Sequence, residues 1–228
     1  MHVRIVALAD THLRHERLHV PYRDEDDVLV HAGDLCQRGS LEELAAAAAF
    51  LAAQPHRVKL VVAGNHEVCL QKRPEEARAV LAHHGLVYLE DEEITVGGLR
   101  FYGSPWQPMF RVWAFGARRG PELAAKWAKI PEGIDVLVTH GPPWGFGDRV
   151  RLGRLGARHL GGSPDREVHA GCADLRRRVE KVRPRLHVFG HIHQDPGLWK
   201  SGATTFLNAT TAEGTRPAAV VELEASAA

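Results

Sequence analysis

Five short apolar runs, each followed at once by Asp, Asn or His, constrain this chain more than any other feature. Val3–Ala9 runs into Asp10-Thr-His12, and Val28–Val30 is followed by Gly33-Asp34. Val58–Val62 leads to Gly64-Asn-His-Glu67, Asp135–Val138 to Thr139-His140-Gly141, and Leu186–Phe189 to Gly190-His-Ile-His193. Bounded apolar runs of this kind read as buried strands. In open α/β sheets, ligand sites form outside the carboxyl ends of the strands. A single Asp after a strand is an ordinary turn former. Five strand ends that all carry Asp, Asn or His describe one convergent cluster instead.

Helical patterns lie between several of these runs. Ser40 and Glu43 make a capping box in front of a helix over Leu41–Gln54. Pro74 with Glu75 and Glu76 opens a second, to about His84, and Pro121-Glu122 a third near Leu123–Ile130. Ala170–Val182 reads as a fourth, stopped by Pro184. Ile94–Val96, Gly97-Gly98 and Leu99–Tyr102 read as a hairpin. Thr204–Leu207 and Ala218–Leu223 look like two more strands. The expected class is α/β, a single domain over residues 1–228, with no internal repeat. The Pro/Gly-rich stretch 141–162 is the longest irregular segment, and long loops in compact domains tend to be functional.

Composition narrows the partners. With 29 Lys+Arg against 28 Asp+Glu, the net charge is +1, so bulk charge does not hold this chain on nucleic acid or a membrane. No stretch approaches the roughly 20 apolar residues needed to span a bilayer. The N-terminus enters a strand directly, without a basic and then apolar leader, so a cytoplasmic location is expected. Cys36, Cys69 and Cys172 are isolated from one another, which argues against a disulfide framework or a zinc ribbon.

The chain has 15 histidines in 228 residues. At the strand ends, the donors are four imidazoles (His12, His140, His191, His193), two carboxylates (Asp10, Asp34) and the amide of Asn65. Such nitrogen and oxygen donors suit Mn, Fe, Zn, Co or Ni better than Mg or Ca. Seven donors are too many for one four-coordinate zinc, and about right for two metals sharing a carboxylate. Two metals roughly 3.5–4 Å apart clamp an in-line displacement at phosphorus, and a water between them ionises near neutral pH.

The blocks D-x-H (Asp10–His12), G-D (Gly33-Asp34), G-N-H-E (Gly64–Glu67), H-G-P (His140–Pro142) and G-H-x-H (Gly190–His193), in this order, resemble the calcineurin-like metallophosphoesterase superfamily. Gly103-Ser-Pro-Trp-Gln-Pro108, Ile130–Asp135, His140–Pro143 and Leu186–His191 are similar to the branch that holds the vertebrate metallophosphoesterase-domain-containing brain proteins. The resemblance implies a four-layer α/β/β/α sandwich of two mixed sheets flanked by helices. It implies two divalent or mixed-valence transition metal ions. One would take Asp10, His12, Asp34 and His193, the other Asp34, Asn65, His140 and His191, with Asp34 bridging. It places His66 by the leaving group as general acid or transition-state stabiliser. Some vertebrate relatives carry glycine in place of the first histidine of the last block, which weakens the site; here His191 is present. The expected function is a metal-dependent phosphodiesterase acting on small diesters such as cyclic nucleotides, by attack of a metal-bridging hydroxide. A phosphomonoesterase or protein phosphatase, or a nuclease, is the alternative, and a non-catalytic scaffold ranks last. A small phosphoester is thus the expected partner, with nucleic acid less favoured.

Four residues near the blocks are candidates for substrate contact. Arg14 could pair with a phosphate oxygen or simply be solvated. Trp106, Trp144 and Phe146 could stack a nucleobase, or pin long loops onto the core. Glu67 has either an outer role behind the ligands or a place in water. Cys36 reads as a packed small residue. The segment Arg149–Arg185 is strongly basic; a solvated arginine-rich surface is the favoured account, and a field that draws anions to the site is the other.

Overall fold

The computed structural model describes residues 2–109, 112–153, 163 and 165–225. Part of the irregular stretch expected at 141–162, from residue 154 onward, lies outside the described residues.

The first half runs β1 (His2–Leu8), β2 (Asp27–Ala32), α1 (Leu41–Ala52), β3 (Val58–Val62), α2 (Val68–Lys72), α3 (Pro74–His83), β4 (Val87–Tyr88), β5 (Glu92–Val96) and β6 (Leu99–Ser104). The second runs β7 (Gln107–Pro108), β8 (Gly116–Ala117), α4 (Pro121–Trp127), β9 (Val136–Thr139), β10 (Arg149–Arg151), β11 (Glu167–His169), α5 (Ala173–Val182), β12 (Leu186–Phe189), β13 (Gly197–Ser201), β14 (Thr204–Asn208) and β15 (Ala219–Glu224).

Two sheets result. One has the order β15-β1-β2-β3-β4, the other β13-β14-β12-β9-β6-β5. Both are mixed: β1 to β4 run parallel with β15 antiparallel at the edge, and β14, β12, β9 and β6 run parallel between antiparallel β13 and β5. Strand alternation makes the layers. Val3, Ile5 and Ala7 of β1 pack with Val136 and Val138 of β9 and with Leu186 and Val188 of β12, between the sheets. Val6 and Leu8 point the other way, onto Leu44, Ala47, Ala48 and Leu51 of α1. That i, i+3, i+4, i+7 spacing is the apolar stripe of a helix lying on a sheet. On the far side, Leu137, Phe189 and Phe206 meet Leu123 and Trp127 of α4 and Leu175, Val179 and Val182 of α5. The four-layer sandwich implied by the motifs is the fold found.

Local signals act as expected at several points. Ser40 accepts from Glu43 N, while the Glu43 carboxylate turns back onto the N–H groups of Gln37, Arg38 and Gly39. Gly97 and Gly98, at φ +57° and +78°, make the tight β5–β6 turn. One helix start is corrected: α5 begins at Ala173, not Ala170, because residues before it are held by backbone pairing of Pro143 with Cys172, and Cys172 caps the helix. The short α2, the strand pairs β7–β8 and β10–β11, and β13 have too few residues for periodicity to reveal. Among the described residues, no helix is long and apolar enough to cross a membrane.

Candidate metal centre

All five blocks stand at the carboxyl ends of adjacent strands, and the turns there are tight. Asp10, His12, Asp34 and His191 all have positive φ (55°, 44°, 58° and 69°). Non-glycine residues rarely adopt this region, and such strain collects at functional sites. Cross-links hold the turns: Asp10 N donates to Gly33 O, His12 N to Asp34 O, and Gly190 N to His140 O. Gly190 has no room for a side chain, since a Cβ there would stand 2.6 Å from Asp10 Oδ2.

The side chains converge in three overlapping groups: Asp10, His12 and His193; His12, Asp34 and His66; and Asp34, His140 and His191. Asp34 Oδ2 lies 3.4 Å from His140 Nε2, 3.7 Å from His12 Nε2 and 3.9 Å from His66 Nε2. His193 Nε2 stands 3.4 Å from Asp10 Oδ1. His140 Nε2 is 3.1 Å from both Asn65 Oδ1 and His191 Nδ1. The outer nitrogens set the tautomers. His12 Nδ1–H donates to Cys36 O and His140 Nδ1–H to Ala32 O, each at 2.9 Å, which leaves both Nε2 lone pairs aimed inward. Lone pairs of imidazole, carboxylate and amide thus face one another, and a cation is the group that satisfies them together. The donor set therefore fits transition metals, with Asp34 central to both halves.

The charges point the same way. Burial raises the Asp34 pKa, but His140, with His66 and His12 beside it, holds it well below the usual carboxylate range. Burial pulls His140 down, and the adjoining Asp34 carboxylate more than reverses this, pushing it up to about 9. Burial, with His140 nearby, pushes His191 down to about 4.

A second line of residues holds the donors. Glu67 is fully buried, not in water, and its carboxylate accepts from the N–H groups of Asp34 (2.8 Å), Cys36 (2.9 Å) and Gly64 (2.6 Å). One side chain therefore ties together the loops that carry Asp34 and Asn65. Cys36 is buried beside it. In both sheets a buried His braces the Thr before a donor: His31 Nε2 meets Thr11 Oγ1 at 3.0 Å, and His187 Nε2 meets Thr139 Oγ1 at 2.9 Å.

At the rim, the structure separates the alternatives that the sequence left open. Trp106 is taken up by packing: its Nε1–H donates to Asp91, Lys126 Nζ lies 3.4 Å over its ring, and Phe115 meets it edge-on. Phe146 stacks on Phe206 at 4.1 Å, with the Arg176 guanidinium 4.3 Å from its centroid. Arg14 pairs with Glu213 at 3.1 Å. Of the three rings, Trp144 alone is exposed, at 51%. Part of the arginine-rich segment is paired with carboxylates. Arg149 pairs with Asp195, Arg176 with Glu180 and Arg177 with Asp174, and Arg178 donates to Ile130 O. Arg154 and Arg158 lie outside the described residues.

Three rim residues escape sequence reasoning. Trp113 stacks on His66 with centroids 4.2 Å apart. His169 lies 5.1 Å from Trp144, ring to ring, and its Nδ1–H donates to buried Asp148 at 2.7 Å. The only sequence signals are the place of Trp113 soon after Gly103–Pro108 and of Asp148 in the loop that follows His140.

A four-layer sandwich whose strand ends gather Asp, Asn and His donors in this way defines a metallophosphoesterase. The calcineurin-like phosphoesterase family matches residues 3–195, and the chain belongs to that family, whose members typically bind two metal ions. Metallophosphoesterase domain-containing protein 1 of Homo sapiens is 38% identical over 92% of this chain, which spans 66% of that relative's length. UPF0046 protein C25E10.12 of Caenorhabditis elegans is 37% identical over 91% of this chain and 74% of its own. Among solved structures, phosphopantetheinyl hydrolase (PptH) from Mycobacterium tuberculosis superposes with a TM-score of 0.58 at 16% identity, covering 90% of this chain and 88% of that one. A 5′-nucleotidase from Candida albicans SC5314 gives 0.52 at 14%, covering 91% and 45%. Both likenesses bear on the fold alone.

Proposed function

We propose that this chain hydrolyses phosphoesters, and small diesters such as cyclic nucleotides in particular. The observation that carries the reading is the convergence of three donor groups on Asp34, with His66 Nε2 aimed at the same carboxylate. Two transition metals in this pocket would supply Lewis acidity to the phosphoryl oxygens and an activated water for in-line attack. The protein's own part is placement. Asp10, His12 and His193 form one side, Asn65, His140 and His191 the other, and Glu67 keeps their loops in register. His66 donates its Nδ1–H to Gln37 O at 2.5 Å, which directs Nε2 toward the site. When that nitrogen is protonated it gives its proton to the departing oxygen as the P–O bond breaks.

Two features favour diesters over monoesters. Arg14 and Arg149, which could have met the second charge of a monoester, are held by Glu213 and Asp195. The open face of Trp144 suits a planar leaving group such as a nucleobase. The paired arginines also weaken any field that would gather nucleic acid. The test is to measure bound metal, then turnover of 2′,3′- and 3′,5′-cyclic nucleotides, chromogenic mono- and diesters, and oligonucleotides at rising salt. Diester turnover well above monoester turnover is expected. A preference for monoesters, or salt-sensitive cleavage of oligonucleotides, would replace this reading with a phosphomonoesterase or a nuclease. Less than one metal per chain and no turnover with added Mn would leave only a scaffold.

A further inference from the structure

His66 is restrained on three sides, and Trp113 is one of them. Its Nδ1–H is held by Gln37 O, and His12 meets its ring edge-on, with centroids 4.6 Å apart and planes at 75°. Rotation about the Cβ–Cγ bond of an imidazole is soft, so a hydrogen bond at one end and an edge contact leave the ring free to tilt. Trp113 removes that freedom by lying face to face with it, 4.2 Å away at 28°.

Trp113 is itself firmly seated. The next residue, Ala114, donates its N–H to Asn65 O at 3.0 Å, so the platform hangs on the backbone of the residue before His66. Phe115 follows, 1% exposed, with its N–H on Gln71 Oε1. Gln107 completes the anchorage, with its side-chain amide on Ala114 O at 2.8 Å and its N–H on Phe115 O at 3.2 Å. Ring and platform therefore share one support.

We infer that Trp113 is the positioning residue for His66: the stack holds the imidazole plane so that Nε2 faces the departing oxygen. The inference rests on the reading of His66 as the group beside the leaving oxygen. A proton donor displaced by about 1 Å can cost on the order of 100-fold in rate, so loss of the platform should be felt at a distance from the metals. It should be felt most where the leaving group needs its proton most.

The test uses the metal-loaded protein, with Trp113→Ala, Trp113→Phe and His66→Ala, on two series of aryl phosphates, one of diesters and one of monoesters. Each series spans phenols of rising pKa. Trp113→Ala should keep its metal and its KM, and lose roughly 10- to 100-fold in kcat on the poorest leaving groups. Its loss should shrink toward nitrophenol, in parallel with His66→Ala, and Trp113→Phe should recover most of it. A second readout needs no turnover. In the zinc-loaded protein, the His66 ring-proton resonances should carry the ring-current shift of Trp113, lose it in Trp113→Ala and regain part of it in Trp113→Phe. Unmoved resonances, or a loss in Trp113→Ala that is the same for every leaving group while His66→Ala shows a slope, would overturn the inference. A parent that cleaves only monoesters would defeat the diester reading alone, because the Trp113 effect is then read in the monoester series.

Discussion

At the floor of the site, His140 has no exposed surface and both ring nitrogens are committed, one to Ala32 O and one inward to Asp34, Asn65 and His191. At the rim, Trp144 stands 51% exposed beside His169. The floor grows from strand ends cross-linked by backbone hydrogen bonds, and its donor atoms converge on one point. The rim grows from the β6–β7, β7–β8 and β9–β10 connections, where aromatic rings choose between covering the core and facing solvent. Trp106 and Phe146 cover the core; Trp113 and Trp144 do not. The contrast separates two kinds of residue change: those at the floor should act on metal and chemistry, those at the rim on substrate or stability.

Asp34→Ala is the most severe break of the floor. It should leave less than one metal per chain by elemental analysis and reduce turnover by at least about 10⁴-fold, since each factor of ten is only about 1.4 kcal/mol of lost stabilisation. His66→Ala, with metal retained, should lower kcat by about 10²- to 10⁴-fold. If Asp34→Ala retained both metals, Asp34 would not be the shared ligand. Glu67→Gln keeps size and burial but replaces a two-oxygen acceptor with an amide. Three backbone N–H groups then compete for one oxygen, and metal affinity should fall about 10- to 100-fold in a competition titration with a chelator. Unchanged affinity would mean that the loops hold their places without it.

The rim gives smaller and split effects. Phe146→Ala should lower unfolding stability by about 3 kcal/mol in a denaturant titration and leave kcat/KM alone. Trp144→Ala should do the reverse, raising KM for a nucleotide about tenfold at constant stability. Equal behaviour of the two variants would erase the distinction between packed and presented aromatics.

The last contrast is with acid. His187, fully buried behind Thr139, has its pKa pushed down by burial to about 3, against an ordinary value of 6.5. The folded state therefore holds it neutral while the unfolded chain takes up a proton below 6.5. Its contribution to stability is complete above pH 6.5 and is lost as pH falls toward 3, at up to about 1.4 kcal/mol per pH unit. His187→Leu should make the stability of the metal-free protein flatter over that window, while Trp144→Ala should not change its slope.

Much of the floor is legible in the sequence. An apolar run bounded by Gly and followed by Asp, Asn or His is legible because strand ends are local features, and Asp10, His12, Asp34, Asn65, His140, His191 and His193 all follow that grammar. Glu67 was only half legible: its place after His66 showed that it was near, but not that its carboxylate would be buried on three N–H groups from two loops. The aromatic rim was the least legible. Trp106, Trp113, Trp144 and Phe146 are alike in sequence context, yet only packing separates the ring over Lys126 or Phe206 from the ring over His66.

The order of residues by itself determined where buried strands lie and which donors follow them, because a bounded apolar run and the chemistry of Asp, Asn and His do not depend on partners far away. Only the tertiary structure decided that Glu67 lies buried behind two loops, which histidines brace the Thr residues behind the donors, and which tryptophan faces His66. Those outcomes depend on loops from both sheets meeting in space, and no spacing within one loop records where another loop will lie.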